Sequence, residues 1–406
     1  MQEPSTDDRD GSIPWRSSTL QVILATMVVA VMGVSLIAPI LPVIRETFDV
    51  TSAEVGLVIT VFALPGIVLA PIVGVLADRF GRRPVLLPCL FVYGAAGTAI
   101  ALVDSFSSLL LLRFLQGVGG SGLTTLAVAL IGDYWDGMQR NSIMGINSTI
   151  LSVGTSIFPV VGGVLAGIAW NIPFVLFALG VVLGLVALWT LEEPDVAKND
   201  AGGLEYVRDA AASVSLRDSF VLYGATFVIF VTVFGALLTL MPLLLDEQYG
   251  LSSSEIGLVL TGASVTSGIV ASQNGRLSRY ATNVELIGAG LAIYGVSLAA
   301  IGAVLHSGSV LSIVGAVVVF GVGSGLAIPS MNTAVSSFTP GRFRGGAVSL
   351  RTSFIHTGEA AGPAIFPLAA AVVGYQPVLV ASGGILLTMG IAIWARQDAV
   401  VLEQPA

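Results

Sequence analysis

Residues 74–83 read GVLADRFGRR: four charges, Asp78, Arg79, Arg82 and Arg83, crowded into one turn-forming segment of a chain that is only 10% charged. The run before it, 55–77, is apolar apart from a few hydroxyls, and the run after it, 84–103, is apolar again. A short cationic loop between two membrane-length helices belongs at a membrane surface, and its arginines assign that surface to the cytoplasmic side.

The remainder of the chain has the same texture. Of its 406 residues 55% are hydrophobic and the mean hydropathy is +0.92, far above that of soluble globular proteins. A helix needs about 20 apolar residues to cross a hydrocarbon core of about 30 Å. Twelve runs qualify: roughly 20–41, 55–77, 84–103, 107–131, 141–166, 171–191, 219–245, 255–274, 284–305, 309–332, 345–370 and 374–395. The expected fold is therefore an all-α membrane protein of two six-helix bundles, residues 20–191 and 219–396. A polar linker, 192–218, joins them, and short tails, 1–19 and 397–406, flank them. Within the linker, 204–214 has the pattern of a short amphipathic helix lying on the membrane surface. The first run follows a polar tail, is too long for a signal-peptide core and lacks a cleavage site.

Charge sets the expected orientation. Of the 17 basic residues, Arg45 alone falls in an outer loop, and Arg113 and Arg351 fall within spans; the others gather on one side. The opposite loops carry acids: Glu46, Asp49, Glu54, Asp104, Asp246, Glu247 and Glu255. Both termini are then cytoplasmic. The single cysteine, Cys89, excludes an intramolecular disulfide and a cysteine-based metal cluster. The five tryptophans all lie near span ends, as an interfacial belt requires.

The halves repeat. Val50-TSAEVGLVIT aligns with Leu251-SSSEIGLVLT at an offset of 201. Gly117-Val118-Gly119 matches Gly321-Val322-Gly323, and Arg140, Gly154 and Pro159 match Arg344, Gly358 and Pro363, all at an offset of 204. Parallel six-helix repeats with a site at their interface near the midplane are a transporter architecture. The copy of the opening loop in the second half is degraded: Gly275-Arg276-Leu277-Ser278-Arg279 has an arginine where the first half has Asp78.

The opening loop resembles the signature G-x-L-a-D-R-x-G-R-[RK] of the major facilitator superfamily, with Gly74, Asp78, Arg79, Gly81, Arg82 and Arg83 at its fixed positions. The resemblance implies a cytoplasmic latch in which Asp78 and Arg82 pair and Asp133 joins them, holding the bundles in the outward-facing state. The alternative is a topogenic loop whose arginines set orientation only. Gly33-VSLIA-Pro39-IL-Pro42 in the first span resembles a motif of the twelve-span drug/proton antiporter branch. Two prolines three apart weaken the backbone ladder and bend the helix, as a gate or as a simple kink. Gly154-TSIF-Pro159-VV-Gly162-Gly163 resembles that branch's fifth-span motif, with Phe158 in place of a glycine, and Gly358 and Pro363 echo it in the eleventh span. Small residues there allow close helix approach.

Few ionisable residues lie at membrane depth. A guanidinium there costs about 2.5–3.5 kcal/mol on insertion scales, so Arg113 should face the bundle interior. Arg113, Gln116, Gly117 and Gly120 share a helical face. They resemble the family motif R-x2-q-G-x-g, whose arginine the resemblance links to proton transfer; a structural arginine bonded to backbone carbonyls is the other reading. In the eleventh span Thr352, His356 and Glu359 follow at spacings of four and three, and Glu359 is the one acid near the centre of any span. A buried carboxyl favours its protonated form and a histidine titrates near neutrality, which suits a proton-coupling site; a structural hydrogen bond to Arg351 or a neighbouring helix is the alternative. Gln116, Asn147, Arg351 and Thr352 are further polar candidates for a central cavity.

These features together lead us to expect a secondary transporter working by alternating access. It exports small lipophilic molecules in exchange for protons, with no cofactor beyond the proton gradient, as a monomer in the plasma membrane, without nucleic-acid partners. The rivals are a proton symporter or facilitator for a sugar or organic acid, and a non-transporting membrane sensor on the same fold. No phosphate-binding loop of the G-x4-G-K-[ST] type is present, and no nucleophile–His–acid set suggests an enzyme.

Overall fold

A computed structural model describes residues 12–194, 216–305, 309–337 and 344–395, with the side chains of 216–221 and 335–350 excepted. Among the described residues every regular element is helical. Six long helices make the first half: α1 (Ser18–Phe48), α2 (Ser52–Phe80), α3 (Arg82–Leu102), α4 (Phe106–Tyr134), α5 (Gly137–Ala166) and α6 (Ile172–Thr190). Six make the second: α7 (Leu222–Tyr249) and α8 (Ser253–Ser272), α9 (Asn283–Val304), α10 (Val310–Ser337), α11 (Arg344–Val373) and α12 (Tyr375–Ala395). Eleven are long and apolar enough to cross a bilayer by composition alone. The one outside that set is α11, which carries Arg351, His356 and Glu359. The amphipathic segment read at 204–214 lies outside the described residues.

Local chemistry sets the helix ends. Thr51 and Ser252 accept from the backbone N–H of Glu54 and Glu255, whose carboxylates reach back to the cap, so α2 and α8 begin with the same capping box. Residues Asp49 and Gly250 end α1 and α7 in the left-handed conformation, with φ of 51° and 63°. Neither α1 nor α7 is regular. Pro39 and Pro42 break α1 with a 3-10 turn over Ala38–Ile40, and a π-helical stretch, Val233–Leu240, interrupts α7 ahead of Pro242.

Two apolar cores form, one in each half, and each borrows a residue from the other: Leu243 joins the first and Ala38 the second. Between the bundles α2 packs on α11 and α5 on α8, and these two seams are copies. A Cβ at Gly56 would lie 2.2 Å from the carbonyl oxygen of Pro363, and one at Gly257 would lie 2.3 Å from that of Pro159. Thr60 Oγ1 donates to the Ala360 carbonyl at 2.8 Å, and Thr261 Oγ1 donates to that of Ser156 at 2.6 Å. Both seams follow the offsets of 201 and 204 found in the sequence, so the halves are related by a pseudo-two-fold axis. The contacts thin toward the end that holds Arg82: a Cβ at Gly268 would be 3.8 Å from Ser152, and one at Gly74 would meet nothing within 4 Å. We call that end basic and the opposite one, with Arg45 and Asp246, acidic.

Candidate functional site

At the basic end Arg82 gathers the charges of the opening loop. Its Nη1 donates to the Asp78 carboxylate one turn back, and its Nε donates to Asp133 Oδ2 of α4 at 2.7 Å. Arg79 lies with its guanidinium carbon 5.5 Å from the Phe80 ring centroid. Arg83 Nη2 donates to the Leu188 carbonyl at 2.7 Å. Motif spacing does not single out Glu193, just past α6. Its two oxygens accept from the backbone N–H of Arg82 at 2.6 Å and of Arg83 at 2.8 Å. A carboxylate there satisfies orphan donors and complements the helix dipole. Gly81 makes room for it: φ is 108°, and a Cβ would come within 2.5 Å of Glu193. Every one of these partners belongs to the first half. The loop therefore knits α2, α3, α4 and the end of α6 into one unit. The expected trio of Asp78, Arg82 and Asp133 does assemble, and it does so entirely within the first bundle.

Arg113 of α4 is completely buried. Its Nε donates to the Val58 carbonyl of α2 at 3.0 Å, its Nη2 to the Gly33 carbonyl of α1 at 3.0 Å, and its Nη1 to Gln116 Oε1 at 2.8 Å. The Phe62 ring covers it, 4.4 Å from the guanidinium carbon. The geometry is that of an arginine bonded to neighbouring backbone, tying three helices at one point; no acid meets it among the described residues. Gly117 lets α4 reach α2, since a Cβ would lie 2.1 Å from the Phe62 carbonyl oxygen. Gln116 Nε2 and Asn147 Oδ1 are buried without partners.

On α11, His356 Nδ1 lies 2.7 Å from Glu359 Oε2, and about one-fifth of each side chain is exposed. The imidazole presses on Gly66 of α2, where a Cβ would come within 2.9 Å of Nδ1, so the pair sits in the seam between the bundles. Thr352 shares that face, one turn earlier. Glu359 does not pair with Arg351; the Nε of Arg351 is buried without a hydrogen bond, and Phe354 stacks on Tyr223 at 5.5 Å on the α7 side. Around the seam the expected small residues make close approaches. Gly162 faces the Leu36 carbonyl of α1, Gly163 faces Ser253 of α8, Gly154 faces Val31, and Gly358 faces Phe227 and Phe230 of α7.

Two repeated six-helix bundles spanning a membrane, with a titratable pair held where they meet, define a transporter. The profile of the Major Facilitator Superfamily matches residues 23–252 and 222–405, and this chain belongs to that superfamily of membrane transporters, which are not enzymes. Over 153 residues it is 35% identical to the bacillibactin exporter of Bacillus subtilis (strain 168), a match covering 36% of this chain and 38% of that relative. With multidrug resistance protein 1 of the same organism it shares 25% identity over 354 residues, 86% of this chain and 89% of the relative. The solved structure of a bacterial homologue of the human lysosomal transporter Spinster, inward-facing and unoccupied, superposes with a TM-score of 0.79 at 20% identity, over 97% of this chain and 99% of that one. The chain is thus a multi-pass membrane transporter of small molecules.

Proposed function

We propose that this transporter exports small lipophilic molecules in exchange for protons, by alternating access across the plasma membrane, as a monomer. The observation that carries the reading is a break in the repeat. The positions equivalent to His356 and Glu359 in the first half are Ser152 and Thr155, at the offset of 204. Around them the two seams keep the same glycines, prolines and threonine hydroxyls. One seam is therefore plain packing, and the other holds a carboxyl and an imidazole in contact. Such a pair can take up a proton when exposed to one side and release it to the other. The proton gradient supplies the energy and no cofactor is needed.

The excess of arginine at the basic end favours a cytoplasmic placement of that end and of both termini, in which case the seam contacts described above close the outer side. Multidrug and exporter names among relatives favour a lipophilic cargo moving outward. The test uses purified protein in liposomes with a pH dye inside and a panel of lipophilic cations, neutral drugs, sugars and organic acids outside. Entry of a lipophilic compound that drives protons out supports antiport. Protons moving inward together with a sugar or an organic acid overturn it in favour of symport.

A further inference from the structure

At the acidic end the outer tips of α1 and α7 meet through charge. Arg45 Nη2 lies 3.1 Å from Asp246 Oδ2, and Arg45 Nη1 donates to the Glu247 carboxylate. Ser52 at the start of α2 accepts from Arg45 at 3.2 Å and donates to Glu247 Oε1 at 2.8 Å. Tyr375, the first residue of α12, donates its hydroxyl to the other Glu247 oxygen at 2.6 Å. The three charged side chains are 18%, 23% and 27% exposed, enough burial to blunt screening by salt.

Arg45 and Asp246 are the same position of the repeat. The offset of 201 that aligns Thr51 with Ser252, Glu54 with Glu255 and the left-handed caps Asp49 and Gly250 also aligns Arg45 with Asp246 and Glu46 with Glu247. Under a two-fold axis along the membrane normal, only residues near the axis meet their own copies. Identical charges there would repel and hold the tips apart. This chain has an arginine in one copy and an aspartate in the other, so the meeting is attractive. Each partner also rides on a short helical tip separated from its helix body by an irregularity: the 3-10 turn with Pro39 and Pro42 in α1, and the π-helical stretch and Pro242 in α7. Irregular turns of this kind allow a tip to swing without melting the helix.

We propose that Arg45, Asp246 and Glu247 form an on-axis charge latch that closes the acidic end and sets the balance between the two access states. It acts by positioning the tips, without touching cargo. The proposal rests on the alternating-access part of the reading above and not on antiport or on the cargo. Release of the latch must accompany opening at that end, so weakening it shifts the resting population.

The test measures the distance between spin labels at Thr47→Cys and Gln248→Cys, exposed equivalent positions on the two tips, in full-length protein with Cys89→Ser, reconstituted in liposomes. We expect one dominant short distance in the parent, and in Arg45→Gln a longer one that raises the open-to-closed ratio about fivefold or more. The double exchange Arg45→Asp with Asp246→Arg should restore the short distance, which a merely folding-related defect would not do. Equal mixtures of both distances in parent and variants would overturn the latch and leave alternating access standing. A single short distance in every variant, and under imposed proton gradients, would overturn the latch and remove the alternating-access basis with it.

Discussion

His356 Nδ1 and Glu359 Oε2 are 2.7 Å apart on one face of α11, against Gly66 of the other bundle. Neither side chain can move far while that seam is closed, because the imidazole fills the space a Cβ would need at Gly66. Opening the seam changes the solvation of both groups together. On the antiport reading proposed above, that would link proton traffic to bundle movement without a longer relay.

Glu359→Gln keeps a hydrogen-bonding partner for His356 but has no proton to release. We expect proton-coupled transport to fall at least about tenfold, in the range typical for loss of a proton-transferring group, and its pH dependence to flatten, while cargo binding persists. Liposome transport across a series of pH values, with cargo binding measured on the same preparations, checks this. Full transport with an unchanged pH profile would remove Glu359 from the mechanism.

Arg113→Lys should destabilise the protein by about 2–4 kcal/mol. A lysine ammonium is a point donor and cannot reproduce a planar fork that serves carbonyls of α1 and α2 and the Gln116 amide at once. Thermal unfolding of the purified variant reads this directly as a lower Tm. A variant with normal Tm and no proton coupling would instead assign Arg113 to the chemistry.

Gly74 and Gly81 occupy fixed positions of the same sequence motif, yet the structure separates them. Gly81 has φ 108° and ψ 158°, a region open to glycine alone, where another residue costs about 1–3 kcal/mol, and a Cβ would strike Glu193. Gly74 is mid-helix with open space around it, so Gly74→Ala gains helix propensity. We expect Gly81→Ala to lower yield and Tm, and Gly74→Ala to leave both unchanged or raised. Should Gly74→Ala abolish transport in well-folded protein, that glycine is needed in the other access state.

Much of the architecture could be read in the sequence, because a membrane span announces itself by length and apolarity and needs no long-range information. The twelve helices and the two-fold repeat come from that kind of signal. Pairings across the fold do not. Asp78, Arg82 and Asp133 are brought together as their motif suggests, but Glu193 carries no motif and is placed by the end of α6 alone. Arg45 stood out as the sole basic residue among outer acids; that it lies opposite its own repeat copy depends on the distance of each helix tip from the axis, which composition does not encode. Arg113 is legible as interior-facing, on one helical face with Gln116, and a bond to backbone carbonyls is one of its two readings; which carbonyls, Gly33 and Val58, depends on how α1 and α2 pack on α4. Keeping the fold's symmetry in packing residues and breaking it at Arg45 and His356 concentrates unlike chemistry where the halves meet.

The two copied seams supply a last prediction. Gly56 and Gly257 each allow a backbone carbonyl, of Pro363 and of Pro159, to approach to a distance no Cβ permits. Backbone cannot yield as the end of a flexible side chain can, so Gly56→Val or Gly257→Val must push the bundles apart at the acidic end. The fold inside each bundle is untouched, since both contacts cross between bundles. Ser253, buried against Gly163 in the α5–α8 seam, reports the separation: with Cys89→Ser, a thiol reagent should modify Ser253→Cys slowly in the parent and several-fold faster when Gly257→Val is added. If the bundles move as rigid bodies, Gly56→Val in the opposite seam should have the same effect at a distance. Faster labelling with Gly257→Val but not with Gly56→Val would mean that each seam opens on its own, and rigid-body rocking would have to be abandoned for local helix bending.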